Sequence, residues 1–192
     1  MYKTVVFDLD GTLLNTLTDL ADAGNRLCRK YGWPTHERQA YRYFVGNGIP
    51  KLVERLAPAD QRTPAVLEAA LADFKRDYGQ HLRDTTAPYP GIPEMLANLK
   101  ANGVQLAVFS NKADALAKEV VKDYFGTQYF TIVRGQMTGV APKPAAEGTN
   151  ALLQALHADP ASTLYVGDSN VDVETAHSAN LPCCGAVWGF RT

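Results

Sequence analysis

Residues Val5-Val6-Phe7-Asp8-Leu9-Asp10-Gly11-Thr12 constrain this chain more than any other stretch. Three apolar, strand-forming residues run directly into a carboxylate, and a second carboxylate follows two positions later, just before a glycine. An unpaired carboxylate at the buried end of a strand costs several kcal/mol, so two acids there point to a bound cation or a reactive role. Asp8 qualifies as a nucleophile once a metal partly offsets its charge, and Asp10 stands close enough for proton transfer. Gly11 permits the positive φ of a sharp exit from the strand. Taken alone, the octapeptide has one other reading, a βα-turn with an Asp cap.

The rest of the chain supplies what such a site requires. A second apolar strand, 104–109, ends in Ser110-Asn111, a hydroxyl and an amide where phosphate oxygens would sit. The same pair also suits a helix N-cap. Pro142-Lys143-Pro144 sets one lysine between two prolines, which fix φ on either side and stiffen its placement. Without that context, Lys143 reads as a solvated loop lysine. A third apolar run, 164–166, leads into Gly167-Asp168-Ser169, with Asp172 beyond it. Strand-end acids, a strand-end hydroxyl and a rigid lysine together suit Mg²⁺ and a phosphoryl group, hard oxygen ligands for the cation and a cation for the anion.

Between the first and second of these elements the hydrophobic period changes. Leu17, Leu20, Ala21, Gly24, Leu27, Cys28 and Tyr31 fall on one helical face, and Val66, Leu67, Ala70, Leu71, Phe74, Tyr78 and Leu82 on another. With Pro34, Pro58 and Pro64 as breaks, the spacing predicts helices near 16–31, 37–45, 48–57 and 64–82. Strand and helix then alternate: helix 92–102, strand 104–109, helix 113–123, strand 130–133, helix 146–157, strand 163–166, helix 171–179 and strand 184–188. That alternation predicts an α/β fold, a doubly wound parallel sheet with ligands at the strands' carboxyl ends. Residues 1–15 and 87–192 would form this Rossmann-like core, and 16–86 an inserted all-α segment.

Asp8-Leu9-Asp10-Gly11-Thr12, Ser110, Lys143 and Gly167-Asp168-Ser169 with Asp172, in that order, resemble the four motifs of the haloacid dehalogenase superfamily. The resemblance spans the whole chain. It implies that Asp8 attacks phosphorus to form an aspartyl-phosphate, and that Asp10 protonates the leaving oxygen and then activates water. Ser110, Asn111 and Lys143 would bind the substrate. Asp8, the Asp10 carbonyl and Asp168 would ligate Mg²⁺, with Asp172 supporting them from behind. An acid at position 10 argues for an oxygen leaving group, since a halide needs no proton. The helical insertion resembles the small cap of the phosphoglycolate phosphatase branch, which implies a compact substrate, 2-phosphoglycolate foremost. Phe44-Val45-Gly46-Asn47-Gly48-Ile49 resembles that cap's substrate-facing loop; a plain helix–helix turn is the other reading. One of Arg42, Asn47 and Lys51 is expected to contact a second anionic group. A sugar-phosphate phosphatase or phosphomutase would share Asp8 and Asp10. A phospho-Asp signalling receiver would share Asp8, but needs neither the second acid nor a cap.

Charge and composition exclude other classes. The net charge is −1, and nothing in it points to nucleic acid or an anionic membrane. Segment 16–86 carries net +2 and the remainder net −3, which mildly suits an anionic substrate. Strand residues begin at Thr4, which leaves no room for a signal peptide, and no apolar run reaches membrane-spanning length. Cys28, Cys183 and Cys184 lack zinc-ligand spacing and fit a reducing compartment, so a cytoplasmic monomer or homodimer acting on a small phosphorylated metabolite is expected. Cys183 and Cys184 read as small strand residues, and the four histidines as surface or cap residues. Two departures from the family pattern stand out. Asn15 replaces the usual acid at the junction into the insertion. The chain also ends at Trp188-Gly189-Phe190-Arg191-Thr192, where relatives usually continue, so Trp188 and Phe190 are expected to be exposed and to favour self-association.

Overall fold

Strand β1 (Thr4–Phe7) is buried along its whole length, as a parallel strand covered on both faces must be. It is followed by β2 (Leu14–Asn15), α1 (Leu17–Tyr31), α2 (Arg38–Phe44), α3 (Ile49–Leu56), α4 (Pro64–Gln80) and β3 (Ala87–Pro88). Then come α5 (Ile92–Ala101), β4 (Gln105–Ala113), α6 (Asp114–Phe125), β5 (Phe130–Gln136), α7 (Ala146–Leu156), β6 (Thr163–Gly167), α8 (Asn170–Ser178) and β7 (Cys183–Gly185). The computed structural model describes residues 1–191. It divides into two units, Met1–Asn15 with the chain from Pro88 onward, and Thr16–Ala87. No helix among the described residues is long and apolar enough to cross a membrane.

The first unit is the α/β fold that the alternation predicts. Its five strands are parallel in the order β5-β4-β1-β6-β7. Winding runs outward from β1 to β4 and β5, then returns to the other side for β6 and β7. The reversal leaves a crevice at the carboxyl end of β1, where such sheets bind ligands. Val6 lies level with Ala107 of β4 and Tyr165 of β6. All three join one core with Leu152, Leu153 and Leu156 of α7 and Ala176 and Ala179 next to or within α8. Register therefore brings Asp8, Ser110 and Asp168 to the same edge of the sheet.

Three strand ends differ from expectation by three residues or more, and one of them is β5, which runs past 133 to Gln136. Strand β4 runs on to Ala113, so Ser110 and Asn111 are strand residues; the N-cap of α6 is Ala113, and the N-cap reading of Ser110-Asn111 is overturned. Strand β7 stops at Gly185, because the chain turns there, with Ala186 N–H donating to the Gly167 carbonyl and Gly189 N–H to that of Ala186. The turn buries Phe190 at 5% exposure, against the expectation of an open end, while Trp188 remains 45% exposed and donates its Nε1–H to the Thr12 carbonyl at 3.0 Å. Thr192, the last residue of that segment, lies outside the described residues. The three cysteines are free thiols.

Helices are the regular structure of the second unit, apart from its last residue, which begins β3. Leu17, Leu20, Ala21, Gly24, Leu27 and Cys28 of α1 are buried, as are Ala70, Phe74 and Tyr78 of α4, on the faces that the periodicity marks. Asp19, in the first turn of α1, is 2% exposed. Its two carboxylate oxygens accept four hydrogen bonds, from the N–H and Oγ1–H of both Thr85 and Thr86, at 2.5–2.9 Å. One carboxylate thus ties the start of the helical unit to its end, 66 residues along the chain. Asp19→Ala would remove all four of these bonds, and should lower stability to urea by roughly 2–4 kcal/mol. An unchanged midpoint would show that solvent replaces those bonds.

Candidate active site

Asp8 leaves β1 at 8% exposure, and its N–H still donates to the Val166 carbonyl at 2.8 Å, so the strand ladder fixes its backbone. The chain then folds into a tight turn, with the N–H groups of Thr12, Leu13 and Leu14 all directed at the Leu9 carbonyl and Gly11 N–H at that of Leu14. Gly11 has φ +90°, and a Cβ there would lie 2.4 Å from Asp168 Oδ2. Glycine at this position is therefore required by both the turn and the carboxylate packed against it.

Lys143 is the centre of the site. Its ammonium is buried and donates to Asp8 Oδ1 and Asp172 Oδ1, each at 2.8 Å, with the Tyr165 hydroxyl at 3.1 Å and the Phe109 carbonyl at 3.2 Å. The lysine backbone is held as firmly as its side chain. Asn111 Oδ1 accepts from Lys143 N–H at 2.8 Å, and Asn111 Nδ2–H donates to the Lys143 carbonyl at 3.2 Å. Asn111, expected to face phosphate oxygens, directs its amide to the lysine's backbone. Asp172 is equally constrained, since its Oδ2 accepts from Ser169 N–H at 3.0 Å and Ser169 Oγ–H at 2.7 Å. Ser110 is 3% exposed, and its Oγ accepts from Lys112 N–H at 3.2 Å.

Asp8, Asp168 and Asp172 present carboxylate oxygens within 4.8 Å of one another. Three carboxylates against the one ammonium of Lys143 leave an excess of two negative charges, the charge of one divalent cation. Both oxygens of Asp172 are engaged by Lys143 and Ser169, so a cation would draw on Asp8 and Asp168. The titration behaviour reflects the imbalance. Burial, then repulsion from Asp172, pushes Asp8 up from 3.8 to about 8, although Lys143 opposes the shift. Burial also raises Asp168 to about 6, against the Phe190 N–H that donates to its Oδ2 at 2.7 Å. Asp172 is likewise penalised by burial, but Lys143 and Ser169 hold it below its ordinary value. Burial works against the charge on Lys143, yet Asp172 and Asp8 keep the ammonium well above the usual lysine range. Hard carboxylate oxygens, crowded and underbalanced, fit a divalent cation.

The remaining expected residues divide between the units. Asp10 stands at the same sheet edge, 3.1 Å from the ammonium of Lys112. In the helical unit Asn47 Oδ1 accepts from Arg55 Nη2–H at 2.9 Å, and Arg55 Nη1–H donates to the Phe44 carbonyl at 2.7 Å. Lys51 pairs with Glu54 one turn along α3. Reading the sequence overlooked Lys112, Tyr165, Arg55 and the Phe190 N–H. Only Lys112 carried a signal, its place next to Ser110-Asn111. A cavity of about 190 Å³ in the helical unit, lined by Arg26, Lys30, Asp73, Arg76, Asp77 and Gln80, has its acids already paired with Arg26 and Lys30 and carries no comparable imbalance.

Residues 5–186 match the family profile of haloacid dehalogenase-like hydrolases. Phosphoglycolate phosphatase from Thiobacillus denitrificans is 31% identical over 192 aligned positions, covering 98% of this chain and 85% of that protein. The phosphoglycolate phosphatase of Aquifex aeolicus is 30% identical over 188 positions, with 98% and 86% covered. The crystal structure of a predicted phosphoglycolate phosphatase from Haemophilus somnus 129pt superposes with a TM-score of 0.89 at 28% identity, covering 99% of this chain and 87% of that one.

An acid whose folded pKa exceeds its unfolded value binds more protons when folded, so it destabilises the fold as pH rises from the unfolded toward the folded value. For Asp168 that window runs from 3.8 to about 6, and for Asp8 from 3.8 to about 8. In chelator, the melting temperature should therefore fall as pH rises from about 5 to about 8. Asp168→Asn removes one of the two groups and should stabilise the chelated protein at the upper pH by roughly 1–2 kcal/mol, allowing for residual solvation. A variant no more stable than the parent there would contradict this electrostatic account.

Proposed function

The chain belongs to the haloacid dehalogenase-like hydrolase family and is a phosphoric monoester hydrolase, and from that premise we propose that it hydrolyses small phosphate esters, 2-phosphoglycolate foremost, through a phosphorylated Asp8. The observation that carries the reading is the contact of Asp8 Oδ1 with Lys143 Nζ at 2.8 Å, inside a carboxylate cluster at the carboxyl end of β1.

Phosphate monoesters are among the most inert biological substrates, with enzymatic accelerations up to about 10²¹ over water. Catalysis depends mainly on holding the phosphoryl group in line and balancing charge on its oxygens. In the proposed reaction a carboxylate oxygen of Asp8 attacks phosphorus as the bond to the ester oxygen breaks, and Asp10 gives that oxygen its proton. Asp10 then takes a proton from water, which attacks the phosphorus on Asp8 and releases inorganic phosphate. The Lys143 ammonium and the Ser110 hydroxyl hold the transferring oxygens, while Asn111 and Asp172 keep Lys143 in place. Asp8, Asp168 and the Asp10 carbonyl would hold Mg²⁺, which when bound offsets the charge that otherwise keeps Asp8 protonated and polarises the phosphoryl group.

The helical unit, which departs from the chain directly after the Asp8 turn, serves in this reading as a cap that limits substrates to compact ones. The names of the relatives at 30–31% identity support phosphoglycolate as the substrate. Such an ester carries a carboxylate besides its phosphate. We propose that one of Arg42, Asn47 and Lys51, at or beside the Gly46–Gly48 turn, meets it, with Arg55 bracing Asn47. We further propose that it acts on that metabolite in the cytoplasm, as a monomer or homodimer.

The test is turnover of 2-phosphoglycolate against hexose phosphates, with Mg²⁺ and in chelator, for the parent and Asp8→Asn. The parent should prefer 2-phosphoglycolate in kcat/KM and lose activity in chelator, with Mg²⁺ restoring it. Asp8→Asn should lose activity by roughly 10⁴-fold or more while remaining folded. A preference for hexose phosphates would move the substrate assignment, and activity near the parent's in Asp8→Asn would remove the nucleophile.

A further inference from the structure

Lys112 has no part in the scheme above, yet its side chain is only 2% exposed. Lysine is almost never buried this far unless it is paired. The local backbone is arranged to put it there. Strand β4 slips against β5 between Phe109 and Ala113, which lie opposite Arg134 and Gln136, so four steps along β4 match two along β5. Irregularities of this kind re-aim side chains and are over-represented next to active sites. Gly135 lies on β5 against the slip, where a Cβ would come within 2.5 Å of the Lys112 carbonyl oxygen, so the close approach depends on glycine. The Lys112 N–H is anchored on Ser110 Oγ at 3.2 Å. Its ammonium then reaches across to β1's exit turn and straddles the Asp10 carboxylate, at 3.1 Å from Oδ1 and 3.4 Å from Oδ2.

We propose that Lys112 is a positioning residue for the reaction, holding the Asp10 carboxylate in the orientation from which a proton passes to and from the reacting oxygens. The inference rests on the role given to Asp10 above. A carboxylate on a short side chain turns about two bonds, and contact with both of its oxygens fixes its plane as well as its position. Misplacement of a reacting group by about 1 Å can cost 10²-fold in rate. Bound to Asp10 through both carboxylate oxygens, Lys112 should matter most where Asp10 matters. Alkyl leaving groups need a proton in the first step, whereas aryl oxygens leave with little help.

The experiment is single-turnover phosphorylation with an alkyl phosphate and with p-nitrophenyl phosphate, in the Mg²⁺-loaded enzyme. It compares Lys112→Met, Lys112→Gln, Lys112→Arg, Asp10→Asn and Asp10→Asn combined with each neutral variant, after thermal melts establish which are folded. Lys112→Met or Lys112→Gln should lose roughly 10–100-fold more on the alkyl than on the aryl ester, in the maximal phosphorylation rate with the half-saturating ester concentration little changed. Lys112→Arg should recover most of that loss. In the Asp10→Asn background neither neutral variant should add a further loss. Equal losses on both esters, or an undiminished loss in the Asp10→Asn background, would overturn the inference. If Asp10→Asn is selective for alkyl esters and the Lys112 variants are not, the Lys112 assignment alone fails. If Asp10→Asn itself shows no selectivity, the reading of Asp10 fails and takes this one with it.

Discussion

The ammonium of Lys143 is the interaction on which the rest of this site depends. It is buried, it lies 2.8 Å from both Asp8 and Asp172, and it takes two further oxygens from Tyr165 and Phe109. Removing one partner from a buried ion pair costs about 3–5 kcal/mol, because the charge left behind has neither water nor a counterion. Each neighbouring feature makes sense as support for that ammonium. Asn111 clamps its backbone in both directions, Ser169 fixes the far oxygen of Asp172, and the strand ladder fixes Asp8.

One ammonium does not balance three carboxylates, and the imbalance is where function enters. A fold selected for stability alone would not pack Asp168 next to Asp8, since burial raises both acids, Asp168 to about 6 and Asp8 to about 8. The structure nevertheless commits specific groups to holding Asp168: the Gly11 turn leaves no room for a Cβ beside it, and the Phe190 N–H fastens its Oδ2. Local instability maintained by dedicated contacts is a pattern of functional sites, and this one suits positive charge.

Much of this was legible in the sequence because it is local. An apolar run meeting an acid at positions 5–8, and again at 164–168, marks strand ends whatever the tertiary structure. The alternation of periods then predicts the parallel sheet that brings those ends together. The helical faces of α1 and α4 were legible for the same reason. What escaped depends on contacts between distant segments. Tyr165 reads as one more apolar strand residue until register puts its hydroxyl by Lys143. Lys112 shows no sign of burial until β4 slips against β5. Phe190 reads as an open end until the turn at Ala186 folds it back onto Asp168. The clamp of Asn111 on Lys143 was not legible because an amide suits a backbone as well as a phosphate.

The central claim is that the phosphoryl group passes through Asp8, and the direct measurement is where phosphate resides during a turnover. Enzyme loaded with Mg²⁺ is mixed with excess substrate, quenched in acid within the first turnover, and mapped by peptide mass spectrometry. The account predicts covalent phosphate on the peptide that contains Asp8, at the Asp8 carboxylate, appearing before free phosphate accumulates. Phosphate on Ser110, or product release with no phosphorylated peptide at any quench time, would contradict it.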